Sequence, residues 1–120
     1  MPVVMLDYPP GTNRLWRHFK GKTLLSREAR DWISHSSWLA RAAGMAPIDG
    51  PVHISMILHP RLTVKGKASK VRLDVDGPIK IALDALEGVA YANDKQITRL
   101  VAEIGAPIAN GGLTVEVMPA

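Results

Sequence analysis

Five carboxylates fall between Lys70 and Ile97: Asp74, Asp76, Asp84, Glu87 and Asp94. Asp74 and Asp76 stand two apart, and in an extended segment such residues project to the same side. Asp76 is followed by Gly77 and Pro78, a helix-start signal: a short carboxylate suits the N-cap, and proline is tolerated where first-turn N–H groups lack partners. Gly88 is a stop, so the spacing predicts a helix from Gly77 to Glu87. At about 100° per residue, Ile79, Ala82, Leu83 and Leu86 share an apolar face, and Asp76, Lys80, Asp84 and Glu87 form a narrow ionic stripe beside it. Pro78, Ile81 and Ala85 are apolar as well. Such a helix is expected to be buried on most sides and open along one ionic line.

Carboxylates beside a core need cations, because desolvating an unpaired charge costs several kcal/mol. One source is Lys80, through i,i+4 pairs with Asp76 and Asp84 worth a few tenths of a kcal/mol each. The other is a hard cation such as Mg²⁺, which takes oxygen donors. Ion pairing alone leaves the Asp74-x-Asp76 pair and Asp94, just past the helix, without a role. Spacing leaves both readings open.

Several elements must position this stretch. Val3 to Leu6 reads as a short strand closed by Asp7 and a Pro9-Pro10-Gly11 turn. Thr12 to Lys22 is basic and aromatic; Trp16 and Phe19 suit a core, Arg14 and Arg17 a phosphate. Ser26 caps an amphipathic helix reaching about Ala43, with Ala29, Trp32, Ile33, Ser36, Ala40 and Ala43 on one face and Gly44 at its end. Trp38 lies off that stripe, and His35 belongs at the surface. Val52 to His59 is a β-rich strand, in which His53 and His59 are too isolated to argue for a metal. Pro60 to Lys70 reads as a loop. Beyond the acidic helix, a strand is expected around Gln96 to Ile104, then an Asn110-Gly111-Gly112 turn and a closing strand alternating at Leu113, Val115 and Val117. Two main helices and about four or five strands, not regularly alternating, give a single α+β domain over residues 1–120 with a mixed sheet.

Composition narrows the function classes. The chain has no cysteine, which removes disulfides and thiolate metal sites. No apolar run approaches the ~18 residues needed to cross a bilayer. The start, MPVVMLDYPPG, lacks the basic region of a signal peptide, so a cytoplasmic protein is expected. Net charge is only +4, but it is unevenly spread. Arg61, Lys65, Lys67, Lys70 and Arg72 follow one another with no acid between them, and the sign then reverses from Asp74 to Asp94. A basic surface around an acidic focus suits an enzyme acting on a polyanion.

Two segments carry a resemblance. PPGTNRLWRH near the start, and DVDGPIKIALDALEGVAYANDKQI after the basic loop, are similar to the RusA family of Holliday-junction resolvases. That family's signature has the form D-x-D-N-x-x-K-x-x-x-D-A-L followed by D-D-x-Q. The resemblance implies that Asp74, Asp76 and Asp94 ligate Mg²⁺, with Mn²⁺ as a substitute. It makes Lys80 the essential lysine near the scissile phosphate and Asp84 a supporting residue. It also implies a homodimer that nicks four-way DNA junctions symmetrically in recombination and repair, often prophage-encoded. Arg14, Arg17, Lys65, Lys67, Lys70 and Arg72 are the expected DNA contacts. Gly77 replaces the family's asparagine, and Asn93 the first aspartate of its D-D-x-Q. The competing expectation is a DNA-binding protein on the same fold that those two changes have left weak or inactive.

Overall fold

The computed structural model describes residues 2–10, 16–19, 22–62 and 76–120. Its main sheet has four strands in the order β1-β6-β4-β5: β1 (Val3–Leu6), β4 (Val52–His59), β5 (Ile97–Ile104) and β6 (Gly112–Pro119). β6 runs antiparallel to both β1 and β4, whereas β5 runs parallel to β4, so the sheet is mixed. The parallel pair requires a crossover, and the chain supplies it through α2 (Asp76–Leu86).

Alternation explains which face is covered. In β4, Val52, Ile54, Met56 and Leu58 are buried, and the residues between them are only partly so. The register sets Leu113, Val115 and Val117 of β6 beside them, and Val4 and Leu6 of β1 complete the same buried layer. Each such side chain contributes on the order of 1.5–3 kcal/mol when withdrawn from water. α1 (Arg27–Ala42) adds Ala29, Trp32 and Ala40 to this core, and α2 adds Ile81, Ala82, Ala85 and Leu86.

The caps follow the sequence. Ser26 Oγ accepts the Ala29 N–H at 3.1 Å, and Ala43 is the C-cap of α1. Trp32 is core as expected, and its indole N–H donates to the Asp7 carbonyl at 3.0 Å, tying α1 to the end of β1. Ala43 was expected on the buried face and is instead exposed, because the helix has already ended there. Trp38 is exposed and stacks on His35, whose ring also meets the Asp7 carboxylate at 3.3 Å.

Thr12 to Lys22, for which no element was predicted, contributes to a second sheet. β2 (Trp16–Phe19) pairs antiparallel with β3 (Lys22–Leu25). The main mixed sheet has four strands, within the four or five expected, and this hairpin adds two more among the described residues. The interspersed cations hide the alternation that would mark these strands. No described helix is long and apolar enough to cross a membrane.

Candidate active site

α2 begins at Asp76 and ends at Leu86, so both ends lie one residue earlier than predicted. Its burial is the expected kind with a shifted centre. Gly77, Pro78, Ile81, Ala82, Ala85 and Leu86 are buried, and Ile79 and Leu83 only partly. Two layers account for this. The sheet lies under one side, and α1 covers another, where the Ser37 hydroxyl donates to the Ala85 carbonyl at 2.7 Å. Lys80, Asp84 and Glu87 are all exposed, on the one line the packing leaves open.

The chain leaves α2 through a tight reversal. Gly88 takes φ +82°, a left-handed conformation that favours glycine, and its N–H donates to the Tyr91 carbonyl at 2.7 Å. Tyr91 is fully buried, and its phenol donates to the Leu83 carbonyl at 2.6 Å. That bond clamps the segment after the helix onto the last turn of the helix itself. Burial first, and then the negative charges of Glu87, Asp94 and Asp84, push the Tyr91 phenol well above the ordinary tyrosine value of 10.0. The phenol thus stays a neutral donor, and it reports that three carboxylates cast their field on one point.

Asp94 opens a short 3₁₀ turn, Asp94–Gln96, held by a capping box. The Asn93 side-chain oxygen accepts the Lys95 N–H at 2.8 Å. Gln96 Oε1 accepts the N–H groups of Ala92 and Asn93 at 2.9 and 3.0 Å. Gln96 Nε2 donates to the carbonyls of Ile48 and Gly50 at 2.7 and 2.8 Å. Every hydrogen-bonding position of that amide is therefore used, and the turn is pinned to the loop before β4. Asp94 itself is exposed, on a rigid mount.

Of the acids in the proposed set, Asp94 and Asp84 are brought toward Tyr91, and Lys80 stands one turn before Asp84. Asp76 begins α2, and its side chain, like the whole of Asp74, lies outside the described residues. Among the described residues no three carboxylates or histidines converge into a cation-sized cluster. The chemistry of the described donors still fits a hard cation: they are all oxygen, and their joint field is negative at the Tyr91 phenol. His59 is no competitor, because its Nδ1 faces the Ala106 carbonyl at 2.9 Å and its Nε2 the Thr114 hydroxyl at 2.8 Å. Both ring nitrogens are used, one beside the loop after β5 and one within β6, which accords with a polar strand position.

The basic residues are less visible. Arg14, Lys65, Lys67, Lys70 and Arg72 lie outside the described residues, and Arg17 is placed only by its backbone, in β2 opposite Leu24. The described root of the basic loop is fixed: Arg61 bridges to Ile108, and its guanidinium lies 4.6 Å from the centre of the Tyr8 ring. Sequence reasoning passed over Tyr91 and Gln96. Tyr91 sits in an apolar run that reads as a return to strand, whereas Gln96 was in view as the last letter of the signature.

The RusA family model, described as Endodeoxyribonuclease RusA, matches residues 7–118. A protein of Escherichia coli named Crossover junction endodeoxyribonuclease RusA is 27% identical over 109 residues, covering 91% of this chain and 86% of its own length.

Proposed function

The chain belongs to the RusA family of endodeoxyribonucleases, and from that premise we propose that it resolves four-way DNA junctions by paired, symmetric, Mg²⁺-dependent nicks. The observation that carries this reading beyond family membership is the exposed line of Lys80, Asp84 and Glu87 on α2, against which the Tyr91 bond to the Leu83 carbonyl holds the segment that bears Asp94. It supports an acidic focus at the end of the helix that carries the signature lysine.

In this reading Asp74, Asp76 and Asp94 would hold Mg²⁺, which when bound supplies an activated water and neutralises charge on the phosphoryl oxygens. The remaining work belongs to the protein. Lys80 offers a point charge to the phosphate as negative charge builds in the transition state. Asp84, one turn on, helps keep Lys80 on that side of the helix. Arg14, Arg17, Lys65, Lys67, Lys70 and Arg72 neutralise backbone phosphates and set the register of the DNA. The products are a 5′-phosphate and a 3′-hydroxyl, and the biological setting is DNA recombination and repair.

The inactive-binder reading draws on Gly77 and Asn93. Asn93 does not favour it. The side chain is spent on capping the Asp94 turn, a task aspartate performs equally well. Replacing aspartate with asparagine there costs the site a charge but no described contact. The test of the proposed function is Asp76→Asn. It should abolish nicking and leave junction binding intact or tighter, since a negative charge beside the phosphates is lost. Normal nicking by Asp76→Asn would remove Asp76 from the metal site.

A further inference from the structure

Trp38 is 64% exposed, more than any other large apolar side chain among the described residues. It is also held in place. Its indole lies parallel to the His35 ring, with the planes 14° apart and the centroids 6.4 Å apart, an offset stack. His35 meets the Asp7 carboxylate at 3.3 Å, and the Asp7 carbonyl accepts the indole N–H of the buried Trp32. A chain of contacts thus runs from the core to the exposed indole. A scattered surface aromatic calls for no account, but one oriented by a second ring and a carboxylate is a mounted platform.

The helical turn sets what surrounds that platform. At about 100° per residue, Trp38 lies opposite the buried Ala29, Ser36 and Ala40, on the outer side of α1. His35 and Glu28 fall on one flank of it, and Arg30 and Arg41 on the other; all four are exposed. Arg27 and Asp31, almost in line with Trp38, meet each other at 3.9 Å. The imidazole covers the indole from its own flank, so the other face of the indole lies on the side of the two arginines. Arg41 is one turn on, with its Cβ about 5–6 Å from that of Trp38. Arg30 and Arg41 bracket Trp38 over about 16 Å of helix.

We propose that this face of α1 is a stacking site for an unpaired DNA base, with Trp38 taking the base on its open face and Arg30 and Arg41 the phosphates on either side. Aromatic rings among cations suit a single strand, because every base has a π-face and the cations follow the backbone. A protein partner would need a pocket for its anchoring side chain, whereas a ring on a helix face offers a flat surface to a flat base. The inference rests on the proposed junction-cleaving activity and deepens it. Ser37, the residue before Trp38, donates to the carbonyl of Ala85, next to Asp84, so the platform stands on the helix packed against the one that carries Lys80. Taking a base out of its stack costs least where that base is already unpaired, as at an opened branch point.

The test measures binding of the full chain in EDTA, so that no Mg²⁺-dependent cut intervenes. The probes are a four-way junction with one unpaired thymidine at the branch point, in each strand in turn, and the same junctions with an abasic nucleotide there. In one strand or more the wild type should prefer the thymidine junction roughly tenfold, as expected for a single base stacked on an aromatic ring. Trp38→Ala should bind the two alike, and Trp38→Phe should keep most of the preference. Arg41→Ala should lower the salt slope on both by about one. Because base and side chain are removed in turn, a merely structural role of Trp38 would not move this comparison. Equal binding of both junctions by the wild type, or a preference that survives in Trp38→Ala, overturns the stacking site. Nicking of a fully paired junction in Mg²⁺ is scored separately. Nicking without any base preference removes this site and leaves the activity standing, whereas a base preference without nicking removes the activity and leaves the site. No binding to any of these DNAs overturns both.

Discussion

The phenol of Tyr91 and the carbonyl of Leu83 are joined by a 2.6 Å hydrogen bond across the turn that follows α2. The bond fixes the segment carrying Asp94 against the helix carrying Lys80 and Asp84, so groups far apart in an extended chain are held to one geometry. Tyr91→Phe keeps the packing and removes the bond. A cost of about 0.5–1.5 kcal/mol is expected in urea unfolding, with a larger loss in the single-turnover rate of junction nicking than in junction affinity. Equal losses in both would show that Tyr91 supports the fold but does not set the site.

The same residue sets an alkaline limit on stability. Tyr91 has a raised pKa in the folded chain, so above about pH 10 the unfolded chain gives up a proton that the folded one retains. Its stabilising contribution is complete below the unfolded value and is lost as pH rises beyond it, at up to about 1.4 kcal/mol per pH unit. Unfolding free energies of wild type and Tyr91→Phe should converge between pH 9 and about pH 11. Parallel curves would mean the phenol ionises freely in the native state.

Gln96 is the second clamp, with both ends of its amide engaged. Gln96→Ala would orphan the Ile48 and Gly50 carbonyls and release the Asp94 turn. The expected cost is about 1–3 kcal/mol, with nicking impaired more than binding. Asn93→Asp keeps the cap and should change stability by no more than about 0.5 kcal/mol. Thermal melts of the two variants side by side separate the capping role from the amide clamp.

Much of this arrangement was legible from sequence because it rests on local rules. The Ser26 cap, the one-sided alternation of Val52–His59 and Gly112–Pro119, and the ionic line of Lys80, Asp84 and Glu87 each follow from spacing alone. The centre of the buried face of α2 did not, because it depends on two packed layers that one helix cannot report. Tyr91 escaped for a similar reason: its partner is a backbone carbonyl eight residues earlier, and no side-chain pattern announces such a bond. Gln96 holds a loop 46 to 48 residues away, a contact that only the fold creates.

The proposed DNA contacts make a different kind of prediction. Arg14→Ala and Lys67→Ala should each weaken junction binding and lower the slope of log affinity against log salt by about one. Cleavage of bound junction should be little changed. A lost affinity with an unaltered salt slope would mean that the side chain acts through packing and touches no phosphate.

The most direct measurement is incubation of the purified chain with a labelled four-way junction and a matched linear duplex, in Mg²⁺ or in EDTA. Paired, symmetric nicks are expected on the junction alone, in Mg²⁺ alone, and with ligatable 5′-phosphate ends. Tight junction binding without nicks across several divalent cations and pH values would contradict the proposed activity and leave a DNA-binding protein on a nuclease fold.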